Sequence, residues 1–237
     1  MNIFGLHDTP CKLSHEDLLI SVEIEGDNLI YSRTHADLNV RKILMGKRRR
    51  IQVDPIAPIT RPKHVTPYLF IEFNHPLVVH TQDTLAVLLK FPVEIGVFLL
   101  GKKERTLLDT LSWLNPEYAL YGDPRSGVIC RYSKSEIYTT VPEIEPLREG
   151  LLKLEIVNKS PEWTELNQVV FNTLGMRIYY DNNLVAAKAQ IEIQNAISAD
   201  TEFVDSPFLP KMSKALEPFP DKRLLSPTQK YFMSEGL

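Results

Sequence analysis

The chain has 237 residues, enough for one large domain or two modest ones. Hydrophobic residues make up 43 % and charged residues 24 %, which supports a buried core and excludes a wholly disordered chain. A net charge of −3 excludes a generally basic nucleic-acid coat, and 10 glycines against 17 prolines leave little material for phosphate-cradling loops.

Residues 1–8 lack the cationic start and apolar block of a secretory signal. Leu18, Ile20, Val22 and Ile24 alternate with Leu19, Ser21, Glu23 and Glu25, the period-two pattern of a half-buried strand. Gly26-Asp27-Asn28 supplies a turn, so residues 18–33 read as a hairpin. Strands are predicted over Val65–Phe73, Thr84–Phe91 and Val93–Leu100, with Pro76 and Pro92 between strands or on edges because proline cannot donate to a ladder. The stretch 85–101 is the most apolar window, but Lys90, Pro92 and Glu94 interrupt it, so no membrane span is expected. Leu107, Leu108, Leu111 and Leu114 make 104–114 equally compatible with a short helix and a strand. Residues 127–132 and 136–140 are expected to form a hairpin about Ser133-Lys134-Ser135.

Pro142 and Pro146 mark a connection at 141–150, after which Leu152, Leu154 and Ile156 alternate again. Met176, Ile178 and Tyr180 precede Asp181-Asn182-Asn183, residues that tolerate the positive φ of a tight turn. Residues 184–197 read as a strand, with a helix as the alternative because of their alanines. Five prolines between 207 and 227 predict an extended tail with at most a helical turn near 212–216, packed through Phe203, Phe208, Phe219 and Phe232. The expected fold is an all-β sandwich of two antiparallel-sheet modules in tandem, residues 1–145 and 146–199 with the tail 200–237.

The chain carries few of the residue patterns that mark a reactive site. Gly96–Lys103 resembles a phosphate loop, but Lys103 stands where Ser or Thr should hold magnesium, and large apolar residues fill the interval. The six histidines lie within the first 80 residues, yet their spacing converges no two on a metal. Cys11 and Cys130 read as reduced thiols, and the Asn158-Lys159-Ser160 acceptor pattern as a chance match. No catalytic residue, metal or cofactor is expected, and the location is expected to be cytoplasmic.

Charge is distributed unevenly. Residues 1–40 hold two cations against seven carboxylates, and residues 41–63 hold eight cations against one. Arg41, Lys42, Lys47, Arg48, Arg49 and Arg50 therefore form a candidate site for an acidic protein or the cytoplasmic part of a membrane protein. The alternative is a solvated hairpin tip neutralised by the acidic first 40 residues. Aromatic residues for base stacking are missing nearby, which argues against single-stranded nucleic acid.

Pro92-Val93-Glu94-Ile95-Gly96-Val97, Glu117–Pro124 with its Tyr118-Ala119-Leu120-Tyr121-Gly122 segment, and Gly127–Tyr132 resemble an archaeal family known as domain of unknown function 432. The resemblance extends through Met176–Asp181 and implies an archaeal source. It carries over no activity and no catalytic residue. Tyr118, Tyr121 and Arg131 within it suit either a corner between sheets or a shallow face for a sugar, nucleotide or phosphorylated metabolite, with the corner favoured. The leading functional expectation is a non-catalytic binding module, with homodimerisation possible through strand edges. A small-molecule binder, or an enzyme with a site assembled from scattered residues, is the alternative.

Overall fold

The computed structural model describes residues 3–36, 38–46, 49–59, 65–101, 105–218 and 230–237. Among them the chain forms nineteen strands and a single 3-10 turn, Thr173–Gly175. The strands of the first half are β1 Gly5–Asp8, β2 Cys11–His15, β3 Leu18–Glu25, β4 Asn28–His35, β5 Leu38–Met45, β6 Arg50–Ile56, β7 Tyr68–Val79, β8 Thr84–Pro92, β9 Glu94–Leu100 and β10 Arg105–Leu111. Those of the second half are β11 Glu117–Tyr121, β12 Val128–Ser135, β13 Glu149–Asn158, β14 Thr164–Asn172, β15 Tyr179–Tyr180, β16 Val185–Asn195, β17 Ser198–Val204, β18 Ser213–Lys214 and β19 Tyr231–Met233. The fold is an all-β sandwich, as expected. No helix among the described residues is long and apolar enough to cross a membrane.

Two compact units divide the chain: Met1–Asp54 with Ile95–Thr110, and Pro55–Glu94 with Leu111–Leu237. The strand β13, which starts at Glu149 at the end of the proline-marked stretch 141–150, and β14 beyond it pair with β8 and β7, which precede the stretch.

The first unit contains a four-stranded sheet in the order β1-β6-β9-β10 and a meander β2-β3-β4-β5. The meander follows the predicted alternation. Ile20 and Val22 of β3, and Leu29 and Tyr31 of β4, are fully buried, while Glu23 and Glu25 face solvent. Gly26 adopts φ +60 in the β3–β4 turn, a conformation that costs glycine little because it lacks Cβ. Ile24 departs from the expectation: at the end of its strand it is 51 % exposed. The ambiguous 104–114 stretch contains strand β10 rather than a helix, since pairing with β9 supplies its backbone partners.

The second unit contains the sheet β11-β12-β7-β14 and a seven-stranded sheet built on the order β18-β15-β16-β13-β8, with β17 pairing β16 and β19. Thr201 Oγ1 of β17 donates to the Val170 carbonyl of β14 over 2.5 Å, tying one sheet to the other. Two pairings are parallel, β12 with β7 and β13 with β16, so the sheets are mixed rather than antiparallel throughout. Parallel neighbours need long crossovers, which the intervening strands provide.

Several local expectations are corrected. The hairpin about 133–135 does not form; β12 runs on through Ser135 because Ser133–Ser135 pair with Ile71–Phe73. Beyond it Tyr138 makes an isolated bridge with Leu88. The strand β7 passes through Asn74-His75-Pro76, where the register with β14 shifts between Leu166 and Gln168. That bulge leaves Pro76 without a ladder bond to supply. Residues 181–183 turn by a side-chain route: Asp181 Oδ1 accepts from the Asn183 and Leu184 amides at 2.8 and 2.9 Å, and none of the three has positive φ.

The alanine-rich segment is strand β16, held by β13 on one side and β15 and β17 on the other. In the tail, β18 pairs with β15 where a helical turn was expected. Phe203 packs on Phe171 with ring centroids 4.9 Å apart, and Phe208 joins the cluster of Leu88, Leu151 and Met212. Phe232 is 54 % exposed, and Phe219 lies outside the described residues.

Candidate functional site

The basic residues are spread over two strands of the first unit. Strand β5 is one of the two outermost strands of the meander, with β2 at the other edge, among the described residues. Its side chains alternate in direction, and the outward set is Asn39, Arg41, Ile43 and Met45. Ile43 is 67 % and Met45 76 % exposed, and Leu38 at the strand start is also exposed. Arg41 Nη2 lies 3.1 Å from Glu25 Oε2, but both side chains are well solvated, so the pair contributes little to stability. Lys42 points the other way. Its ammonium donates to the Leu108 carbonyl and lies 4.0 Å from Asp109 Oδ1.

Arg49 and Arg50 occupy the start of β6 and the residue before it. The Arg49 carbonyl accepts from Thr9 Oγ1 at 2.7 Å, and Arg50 stands opposite Asp8 in the β1–β6 register. Both arginine side chains are exposed and make no ion pair among the described residues. Lys47 and Arg48 lie outside the described residues. The acidic start of the chain thus meets part of the basic segment, through Glu25, and the part-exposed Lys42 turns toward Leu108 and Asp109. Among the described residues Arg49 and Arg50 have no ion-pair partner.

Tyr118, Tyr121 and Arg131 belong to the β11–β12 hairpin of the second unit. Its turn is closed by the Asp123 carbonyl, which accepts from Ser126 and Gly127 at 3.2 and 2.7 Å. Tyr118 stands opposite Arg131 in register, with the guanidinium carbon 6.0 Å from the ring centroid. Arg131 is buried and donates to the Asn115 and Glu117 carbonyls. Burial pulls its guanidinium below the ordinary value, and Glu94, itself buried, opposes that effect.

Tyr121 faces the opposite side of the hairpin. Its hydroxyl donates to the Gly236 carbonyl at 3.0 Å and accepts from the Glu235 amide at 3.1 Å. Phe70 and Tyr231 pack edge-on around its ring. The Tyr121 ring and hydroxyl thus sit between Phe70 of β7 and the segment 231–236. The three residues therefore do not converge on one binding face.

A cluster that sequence reasoning missed surrounds Arg177. This side chain is 5 % exposed and donates to the Met176 carbonyl at 3.0 Å. Its Nε lies 3.2 Å from Glu217 Oε1 and 3.8 Å from Asp205 Oδ2. Asp205 also accepts from Tyr179 Oη and Lys214 Nζ, each at 2.7 Å. Burial by itself raises the Asp205 carboxyl, but the bonds from Lys214 and Tyr179 outweigh it and hold the group below its ordinary value. Burial first, and the Asp205 bond second, push the Tyr179 hydroxyl up to about 12. The cluster fastens residues 205–217 to β15 beside a depression lined by Ile56, Ala57, Met176 and Leu216. Its members are separated by up to 40 residues in sequence, and no motif announces them.

The remaining reactive groups stay apart. Cys130 is buried, and burial pushes its thiol up to about 12, which suppresses the nucleophilic thiolate. His35 is buried with Nε2 3.8 Å from Asp17 Oδ1, and His7 Nε2 sits 3.0 Å from the Ile3 carbonyl. Among the described residues no three His, Cys, Asp or Glu side chains are placed to hold a metal ion. Gly96 lies inside β9, whereas Lys102 and Lys103 lie outside the described residues.

Comparison with known proteins adds one finding of family. Residues 3–234 match the family described as "Protein of unknown function (DUF432)". No curated protein and no solved structure matches the chain. The match takes in the Tyr118–Gly122 segment and nearly the whole length, so the chain belongs to the DUF432 family of proteins of unknown function.

Proposed function

We propose that this protein is a non-catalytic interaction module that receives an extended acidic segment of a protein partner along β5. The observation that carries this reading is the exposure of Ile43 and Met45, at 67 % and 76 %, on an outermost strand. Such edges are normally blunted by charge, proline or a bulge, because their free N–H and C=O groups template another strand. An added strand would pair with those groups and lay alternate apolar side chains against Ile43 and Met45. Arg49 and Arg50, a few residues further on, supply the positive field that steers an acidic segment. Cys11 and Cys130 are both unpaired, which supports a reducing, cytoplasmic setting.

The test uses a fluorescent ten-residue peptide of alternating valine and glutamate. It should bind the intact protein with an affinity that falls as salt rises, and should slow hydrogen exchange at the β5 amides. Ile43→Lys with Met45→Lys should abolish binding, and Arg49→Glu with Arg50→Glu should reverse its salt dependence. Absence of binding, or binding indifferent to both pairs of substitutions, overturns the reading. Self-association through β5, seen by sedimentation and lost in the Ile43 and Met45 variant, replaces it with a homodimer.

A further inference from the structure

At the centre of the seven-stranded sheet, β13 and β16 run parallel and place Lys153 directly opposite Lys188. Their flanking residues Leu152, Leu154, Ala187 and Ala189 are buried, so both lysines emerge on the other face of the sheet. Neighbouring strands lie only about 4.8 Å apart, and like charges directly opposite one another destabilise a sheet.

Other lysines of this sheet and its borders are neutralised. Lys90 lies 2.5 Å from Glu149, Lys159 2.7 Å from Glu192, Lys214 2.7 Å from Asp205 and Lys230 3.2 Å from Glu202. Lys153 and Lys188 are half-buried and make no ion pair or hydrogen bond among the described residues. Both line a groove whose other walls are Glu155, Ala189, Gln190, Val204 and Ser206.

The geometry points to a binding site for a phosphate group between Lys153 and Lys188. Two lysines opposite each other in register and lining one groove suit a dianion at their end of it, because a monoanionic carboxylate would neutralise only one of them. A tetrahedral phosphate presents oxygens to both ammoniums at once. The Ser206 hydroxyl and the Gln190 amide border the same groove and add donors. Glu155 lies two residues along β13 from Lys153 and makes no ion pair with either lysine. Its negative charge confines the anion to the lysine end and disfavours a ligand with a second acidic group on that side.

The test follows thermal unfolding of the whole chain at constant ionic strength, with chloride exchanged for inorganic phosphate or for a sugar monophosphate. Wild-type Tm should rise with the logarithm of phosphate concentration. Lys153→Gln or Lys188→Gln should remove that rise, and in chloride alone Lys188→Gln should raise Tm by relieving the repulsion. Glu155→Gln should lower the phosphate concentration needed for half the shift several-fold. A larger shift with the sugar monophosphate assigns the group to a phosphorylated metabolite, and equal shifts assign it to the free ion. No shift with either probe, or equal shifts in wild type and both lysine variants, overturns the site. For a variant whose melting is irreversible, titration calorimetry with inorganic phosphate measures the same loss of binding directly.

Discussion

Arg33 Nε lies 2.6 Å from Asp109 Oδ2 inside the first unit, with 4 % and 9 % of the two side chains exposed. The Tyr31 hydroxyl donates to the same oxygen at 2.8 Å. Arg33 Nη1 is buried with no hydrogen-bond partner, so the guanidinium depends on this carboxylate. Removing one member of a buried pair leaves the other charge uncompensated. Asp109→Ala should therefore destabilise the chain by about 3–5 kcal/mol. Replacing the pair together, Arg33→Met with Asp109→Leu, should recover most of that loss. Urea unfolding monitored by tryptophan fluorescence measures both, and a loss below about 1 kcal/mol for Asp109→Ala would refute this dependence.

The Cys130 thiol predicts an alkaline limit. Its ordinary value is 9.0, and burial pushes it up to about 12 in the folded chain. The folded state therefore keeps its proton while the unfolded state gives it up. The thiol's contribution is fully present below about pH 9 and is lost as the pH rises toward 12. Cys130→Ala should flatten part of the fall in unfolding free energy between pH 9 and 11. A thiol reagent at pH 8 should modify Cys11, which is part-exposed, and spare Cys130 until denaturant is added. Equal reactivity of the two in the native chain would sink this reading.

Gly127 closes the β11–β12 turn in a space with no room for a side chain. A Cβ there would sit 2.5 Å from the Tyr121 carbonyl oxygen and 2.7 Å from that of Asp123. Both obstacles are backbone, so rotamer changes cannot relieve them. Gly127→Ala should cost about 1–3 kcal/mol and lower Tm accordingly, as overpacking does. Calorimetry showing no change would mean that the turn relaxes freely.

Asn158 is 1 % exposed, and its amide donates to the Val79 and Glu162 carbonyls at 3.1 and 3.0 Å. Its Oδ1 accepts from the Ser160 amide at 2.9 Å. Asn158→Ala should cost about 1–3 kcal/mol because these buried groups lose their partner. The same burial should keep the Asn158-Lys159-Ser160 pattern unmodified in a glycosylating host, and a mass increment at Asn158 would contradict the structure.

The elements most legible in the sequence are those whose partners are sequential. The β3–β4 hairpin, with its Gly26 turn and buried Ile20, Val22 and Tyr31, follows directly from period-two alternation. The turn between β11 and β12 is likewise marked locally, by Gly122, Asp123 and Pro124. The 104–114 stretch was not, since Leu107, Leu108, Leu111 and Leu114 fit a helical stripe while the neighbouring segments are strand-like. The continuation of β12 through Ser133–Ser135 depends on β7, more than 55 residues earlier, and nothing local encodes it.

The site residues divide along the same line. That Arg41 and Lys42 are cations is plain from the chain, but which carboxylate each one meets depends on strand pairing, with Asp109 lying 67 residues after Lys42. Arg177 was invisible as a clamp because Asp205 and Glu217 approach it only through the packing of the tail.

Alternation, turn residues and the Tyr118–Gly122 segment are local properties, so the β class, the placement of β3, β4, β7, β8, β9, β13 and β16, and the family could be read from the chain alone. Which charges face each other could not, and emerged with the packed sheets. The near-neutral total of −3 hides a basic segment partly neutralised by Glu25 and partly folded onto Asp109, and it hides two lysines brought side by side by a parallel register. Strand register couples residues 35 or more positions apart, as it does Lys153 and Lys188, and a charge acquires its meaning from its neighbour across the ladder rather than along the chain.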